Sequence, residues 1–208
     1  MLFRSIAVDE NGNIIDGDSI LYILASRLKA RGMLDKSTVV ATIMSNTGLI
    51  KALEKENIKC VRTAVGDRFV YECMQKNGYK LGGEQSGHII LQKYATTGDG
   101  LLTAIMILEQ MCDAKSTLSN LCKAVVALPQ YEQNVRVKNK ETAISHPQVQ
   151  AKLQEITQEI GDTGRVLLRK SGTEPVIRIM VEHESLEQCK AYAGELVQII
   201  RQNKLCEE

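Results

Sequence analysis

The chain has 208 residues, 44% of them hydrophobic, enough for a sizeable core and for one or two domains. A formal net charge of +1, with Lys and Arg dispersed, leaves no electrostatic case for nucleic acid or an acidic membrane surface, and no run approaches the ~20 apolar residues of a membrane-spanning helix. Six cysteines without a C-x-x-C pair point to free thiols in a reducing compartment and against a zinc site. No signal-peptide h-region opens the sequence, so a cytoplasmic location is expected.

Arg4 to Ile15 reads as a hairpin, two apolar runs around Glu10-Asn11-Gly12-Asn13, with Asn-Gly as the turn. From Ser19 to Arg31 apolar residues recur at Ile20, Leu21, Ile23, Leu24 and Leu28, a helical stripe closed by Gly32. Thr38 to Met44 is continuous and β-branched, the pattern of a buried strand, and Asn46-Thr47 is placed to cap a helix from Gly48 to Asn57. Lys59 to Thr63 is a further strand, and a helix follows to about Asn77. Short apolar runs, Tyr79 to Leu81 and Ile89 to Leu91, flank a glycine-rich stretch. A helix from Leu101 to Met111 then has Asp99 or Thr97 as its cap. This alternation predicts an α/β unit with a parallel sheet and ligand loops at the carboxyl ends of its strands.

The helical pattern of Leu118 to Val126 stops at Leu128-Pro129-Gln130, which predicts a linker near Pro129. A strand from Gln133 to Val137 follows, then a helix entered through Ser145-His146-Pro147, with the stripe Val149, Leu153, Ile156 and Ile160 and a stop at Gly161. Two apolar runs, Val166 to Leu168 and Val176 to Val181, precede a final helix from Leu186 to about Gln202, introduced by the capping box Ser185 and Gln188. The order strand, helix, strand, strand, helix predicts a small α+β sandwich with its helices on one face.

Two stretches carry chemistry. Arg169 to Pro175 reads R-K-S-G-T-E-P between two strand-like runs. Ser171, Gly172 and Thr173 offer backbone N–H groups and hydroxyls, and Arg169 adds a fork of donors suited to a phosphate dianion. Taken alone, a Ser-Gly-Thr turn is also ordinary hairpin chemistry. Glu174 would repel a phosphate it faced, so it is expected to turn away and pair with Arg178 or Lys170. The second stretch, Gly82-Gly83-Glu84-Gln85-Ser86-Gly87-His88, spaces a carboxylate, a hydroxyl and an imidazole two residues apart. In an extended segment all three project to one side and can read sugar hydroxyls. A glycine-rich surface loop is the competing interpretation.

Together these motifs resemble the α-D-phosphohexomutases, whose members have a sugar loop G-E-x-S-G-H in a third domain and a phosphate loop R-x-S-G-T-E-P in a fourth. Thr63-Ala64-Val65-Gly66-Asp67-Arg68 is similar to the family's T-x-V-G-D-R loop, and Thr97-Gly98-Asp99-Gly100 to the start of the helix after the sugar loop. Gln85 resembles the phosphoglucosamine mutase branch. The resemblance implies three segments: 1–15 as the end of a second domain, 16–129 as the third domain, three-layered α/β, and 130–208 as the fourth, TATA-binding-protein-like.

Family members also use a phosphorylated serine in the first domain and a magnesium loop D-G-D-G-D-R in the second. Here Met1-Leu2-Phe3 stands where that loop's aspartates would be, Asp16-Gly17-Asp18 resembles a non-metal element ahead of the third domain's first helix, and nothing resembles the phosphoserine loop. The chain is therefore expected to be a fragment with no metal site of its own, Mg2+ belonging to the full-length enzyme, and with the N-terminal domains of the same enzyme as partners. The resemblance implies interconversion of glucosamine 6-phosphate and glucosamine 1-phosphate. Glu84, Ser86, His88 and Arg68 would bind the sugar phosphate, with His88 as orienter or acid/base, and Arg169, Ser171, Gly172 and Thr173 would hold the phosphate. Phosphomannomutase or phosphoglucomutase specificity, a non-catalytic sugar-phosphate-binding module and a purely structural role are the alternatives.

Overall fold

The computed structural model describes residues 3–207; Met1, Leu2 and Glu208 lie outside the described residues, and with them two of the three positions expected in place of the metal loop. The chain divides into two compact units, Met1–Ala127 and Leu128–Glu208.

In the first unit, β1 (Ala7–Val8) and β2 (Ile14–Ile15) form the expected antiparallel hairpin, Ala7 opposite Ile15. Its turn is tied by the Asp9 carboxylate, which accepts from the N–H groups of Asn11 (2.9 Å) and Asn13 (2.8 Å). Asp16 caps α1 (Gly17–Ala30) by accepting from Ser19 N–H. The whole stripe of α1 is buried: Ile20, Leu21, Ile23, Leu24 and Leu28 are each at most 4% exposed. Burial of such a side chain contributes about 1.5–3 kcal/mol, which fixes α1 against the sheet far more firmly than helix propensity would.

That sheet has the order β4-β3-β5-β6, from β3 (Thr38–Thr42), β4 (Lys59–Thr63), β5 (Leu81–Gly83) and β6 (Ile89–Leu91). Strand β3 runs parallel to β4 and β5, but β6 pairs antiparallel with β5. The sheet is thus mixed and not wholly parallel. The five residues between β5 and β6 are too few for the crossover that parallel pairing needs, so the chain turns back as a hairpin. On one face Val39, Ala41, Leu81, Ile89 and Leu91 pack with α1, with α2 (Thr47–Lys55) and with α4 (Gly100–Ala114). On the other, Val40 and Ile90 meet Val70 and Met74 of α3 (Asp67–Asn77). Three layers result. Asn46 and Asp99 are the side-chain caps of α2 and α4. The next helix, α5 (Leu118–Cys122), is shorter than its pattern suggested, since the β-branched pair Val125-Val126 does not continue it.

In the second unit β9 (Val176–His183) is the central strand, antiparallel to both β7 (Gln130–Arg136) and β8 (Gly164–Lys170). Ile177, Ile179 and Val181 of β9 share a core with Val149 and Ile156 of α7 (Pro147–Ile160) and with Cys189, Ala193, Leu196 and Ile200 of α8 (Leu186–Gln202). Both helices therefore cover one face. Ser185 caps α8 as its capping box predicts. A helix with no expectation in the sequence, α6 (Lys140–Ser145), precedes α7, its cap being Asn139 and its one buried residue Ala143. The cysteines are free thiols, and among the described residues no helix is long and apolar enough to cross a membrane.

Candidate functional site

Because β3, β4 and β5 are parallel, their carboxyl ends lie at one edge of the sheet, where ligands bind in open α/β sheets. A cleft of about 540 Å³ opens there, lined by Val65, Gly66 and Asp67 of the β4–α3 loop, by Glu84 and His88 of the β5–β6 turn, and by Thr97, Phe3 and Arg4. Glu84 Oε1 accepts from the Gly66 N–H at 3.1 Å, which ties the two loops together. His88, 5% exposed, accepts at Nε2 from the Gly98 N–H at 3.1 Å, with the Asp67 Oδ2 at 3.7 Å and the Phe3 ring centroid at 5.7 Å. An accepting Nε2 places the ring proton on Nδ1.

The segment between β5 and β6 is not extended. Glu84 N–H donates to His88 O (3.0 Å), Gly87 N–H to Glu84 O (2.9 Å), and Gly87 takes φ +88°, so the chain makes a tight turn. Alternation therefore does not align the three side chains. Glu84 and His88 do meet in the cleft, at the two ends of the turn, whereas Ser86 sits exposed at its tip and does not line it. Gln85 does not line it either; its amide donates to Asp16 at 3.3 Å and pins the turn to the cap of α1. Arg68 is also outside the cleft lining. Its side chain is 80% exposed and its Nε donates to Glu72, one helical turn on, at 2.7 Å.

The second candidate loop joins β8 to β9 and is closed by Ser171 N–H to Val176 O at 3.0 Å. Hairpin register sets Arg169 opposite Arg178, on the sheet face away from the helices, because directly opposed residues share a face. Two guanidiniums side by side are an unfavourable pair without an anion. Burial pulls the Arg169 guanidinium below its ordinary range; Glu132, its Oε1 at 4.0 Å, opposes that shift and the Arg178 charge adds to it. The Nε atoms of Arg169 and Arg178 are buried without a hydrogen-bond partner. Glu174 turns aside onto Arg178, at 3.5 Å, as anticipated from charge, while Lys170 pairs instead with Glu141.

Within the loop Ser171 is 3% exposed and its Oγ accepts from the Glu174 N–H at 3.3 Å, leaving the hydroxyl hydrogen to donate. Gly172 and Thr173 are exposed, and among the described residues their N–H groups have no acceptor. Arg169 and Arg178, whose carboxylate contacts are long (Glu132 at 4.0 Å, Glu174 at 3.5 Å) and whose Nε atoms have no partner, thus stand with the Ser171 hydroxyl and two unused N–H groups as a set of donors only partly answered, a chemistry suited to an anion.

Three residues beside these loops were given no site role from the sequence. Asp67 was hidden because its approach to His88 is tertiary. Arg178 could have been found by counting back from the closure of the hairpin, which fixes its register with Arg169. Lys140, whose Nζ donates to Ser171 O and Glu174 O, lies on the helix that went unpredicted.

Residues 16–128 match the family model described as phosphoglucomutase/phosphomannomutase, alpha/beta/alpha domain III, and residues 132–199 match the model of the C-terminal domain of the same enzymes. The phosphoglucosamine mutase of Geobacillus kaustophilus is 52% identical over 95% of this chain, and that of Bacillus subtilis 50% identical over the same share. In each case the chain spans 44% of the relative's length. Among solved structures, Aspergillus fumigatus N-acetylphosphoglucosamine mutase in complex with GlcNAc-6P and magnesium superposes with a TM-score of 0.76 at 18% identity, over 95% of this chain and 46% of that one. A phosphoglucomutase/phosphomannomutase family protein from Burkholderia thailandensis gives 0.74 at 20% identity, over 97% of this chain and 44% of that one. The solved structures share the fold, and the two matched domains, in that order and filling most of the sequence, establish that the chain belongs to the phosphoglucomutase/phosphomannomutase family.

Proposed function

We propose that this chain is the sugar- and phosphate-recognising part of a phosphoglucosamine mutase, an isomerase that interconverts glucosamine 6-phosphate and glucosamine 1-phosphate. The observation that carries this is the similarity of about 50% to enzymes of that name along 95% of the sequence. In this assignment residues 1–15 end a second domain, 16–129 are the third and 130–208 the fourth. A cytoplasmic setting suits the free thiols.

The chain's own residues bind and orient. Glu84, held by the Gly66 N–H, keeps a carboxylate oxygen for sugar hydroxyls, and His88 lies beside it in the cleft. Ser86 reaches a ligand only from the rim, and Arg68 only by leaving Glu72. Arg169 and Arg178, with the Ser171 hydroxyl and the N–H groups of Gly172 and Thr173, hold the phosphate that is not being transferred. The phosphoserine chemistry and magnesium are assigned to domains preceding these. Among the described residues no group of three or more His, Cys, Asp or Glu side chains is placed to hold a metal ion.

Replacing the corresponding C-terminal part of the Bacillus subtilis enzyme with this chain tests the proposal. The chimera is expected to convert glucosamine 6-phosphate and to prefer it over mannose and glucose phosphates. A folded chimera without turnover would refute the assignment; one that prefers mannose or glucose phosphate would move it to the phosphomannomutase or phosphoglucomutase branch.

A further inference from the structure

We propose that Lys140 is a positioning residue for the phosphate loop, turning the Gly172 N–H toward the ligand. The inference rests on Arg169 to Thr173 being a phosphate clamp. Lys140 Nζ donates to Ser171 O at 2.8 Å and to Glu174 O at 3.1 Å. In a trans peptide the C=O and the following N–H point in opposite directions. A Ser171 carbonyl drawn onto Lys140 therefore forces the Gly172 N–H away from it, and that N–H is one of the two left unused. The Glu174 carbonyl precedes Pro175, which has no N–H, so the second bond fixes the far end of the loop without orienting a donor.

The ammonium is itself well placed. Lys140 is half-buried, and among the described residues it has no carboxylate partner, so its charge is left for an anion. Its neighbour Glu141 takes Lys170, at 2.6 and 2.8 Å. The first turn of α6, anchored by the Asn139 cap, thus holds the clamp at Lys170, Ser171 and Glu174, on both sides of the donors. Six residues with one buried side chain contribute little to the core; bracing this loop accounts for the helix.

The test titrates the 208-residue chain with inorganic phosphate, following the amide signals of Gly172 and Thr173, in wild type, Lys140→Met, Lys140→Arg and Arg169→Met. Lys140→Met is expected to move the ligand-free Gly172 signal and to weaken phosphate about tenfold. Lys140→Arg, which keeps the charge and can still donate to two carbonyls, is expected to recover affinity to within about threefold of wild type. Equal affinity in wild type and Lys140→Met, with binding lost in Arg169→Met, would overturn the positioning role and leave the clamp standing. An Arg variant as weak as the Met variant would also overturn it. No response in wild type, or full binding by Arg169→Met, would refute the clamp and this inference with it.

Discussion

Arg169→Met is expected to weaken phosphate binding by roughly 30–100-fold while leaving the fold intact. Hydrogen bonds from a charged donor are worth about 1.5–3 kcal/mol, and each 1.4 kcal/mol is about tenfold in affinity. An isolated clamp starts at about millimolar, so the variant should show no saturation in a practical range. Stability should move the other way or not at all. In the folded chain Arg169 is partly buried opposite Arg178, with Glu132 at 4.0 Å as its nearest counter-charge. Methionine keeps the apolar stem and removes the repulsion. A thermal midpoint at or above wild type, with lost binding, is the outcome expected from an anion-binding arginine. A marked fall in the midpoint would instead mark Arg169 as part of the framework.

Gly17→Ala is the second large effect, and here two principles oppose each other. Alanine is favoured over glycine in a helix by about 1 kcal/mol. Yet a Cβ on Gly17 would lie 2.0 Å from Glu84 O, 2.7 Å from Gly87 N and 2.8 Å from Gln85 O, all backbone atoms that cannot rotate aside. Overpacking typically costs about 1–3 kcal/mol, and contact this close with backbone belongs at the upper end, so a net loss of about 2 kcal/mol is expected. The Gly17 N–H also donates to Gln85 O at 2.9 Å, so any displacement is passed to the turn that carries Glu84 and His88. Thermal unfolding should show the loss, and the Gly66 and Gly98 amides, which bond those two side chains, should shift with it. A variant as stable as wild type would mean that α1 and the turn are not in the contact described.

Where a pattern is local, it was legible. The stripe of α1, the buried run of β3, the Asn46 and Asp99 caps and the Ser185 box all follow from periodicity and capping chemistry, and each appears where the residues place it. The donor and acceptor types in the two loops could be listed from the residues alone. Geometry within the loops was not. Reading Glu84 to His88 as extended missed that Gly87 at positive φ lets five residues close a hairpin, and the same closure reverses β6 and makes the sheet mixed. Helix α6 is too short to show a period, and its purpose lies in bonds from Lys140 and Glu141 to a loop some thirty residues on. The partnership of Arg169 with Arg178 exists only through strand register.

Titration of the 208-residue chain with glucosamine 6-phosphate, read at the Gly172 and Thr173 amides and at those of Gly66 and Gly98, bears most directly on sugar-phosphate recognition. Saturable shifts in both sets are expected, with an affinity of about millimolar or weaker, and those at Gly172 and Thr173 should vanish in Arg169→Met. Silence in both sets at tens of millimolar ligand would contradict it.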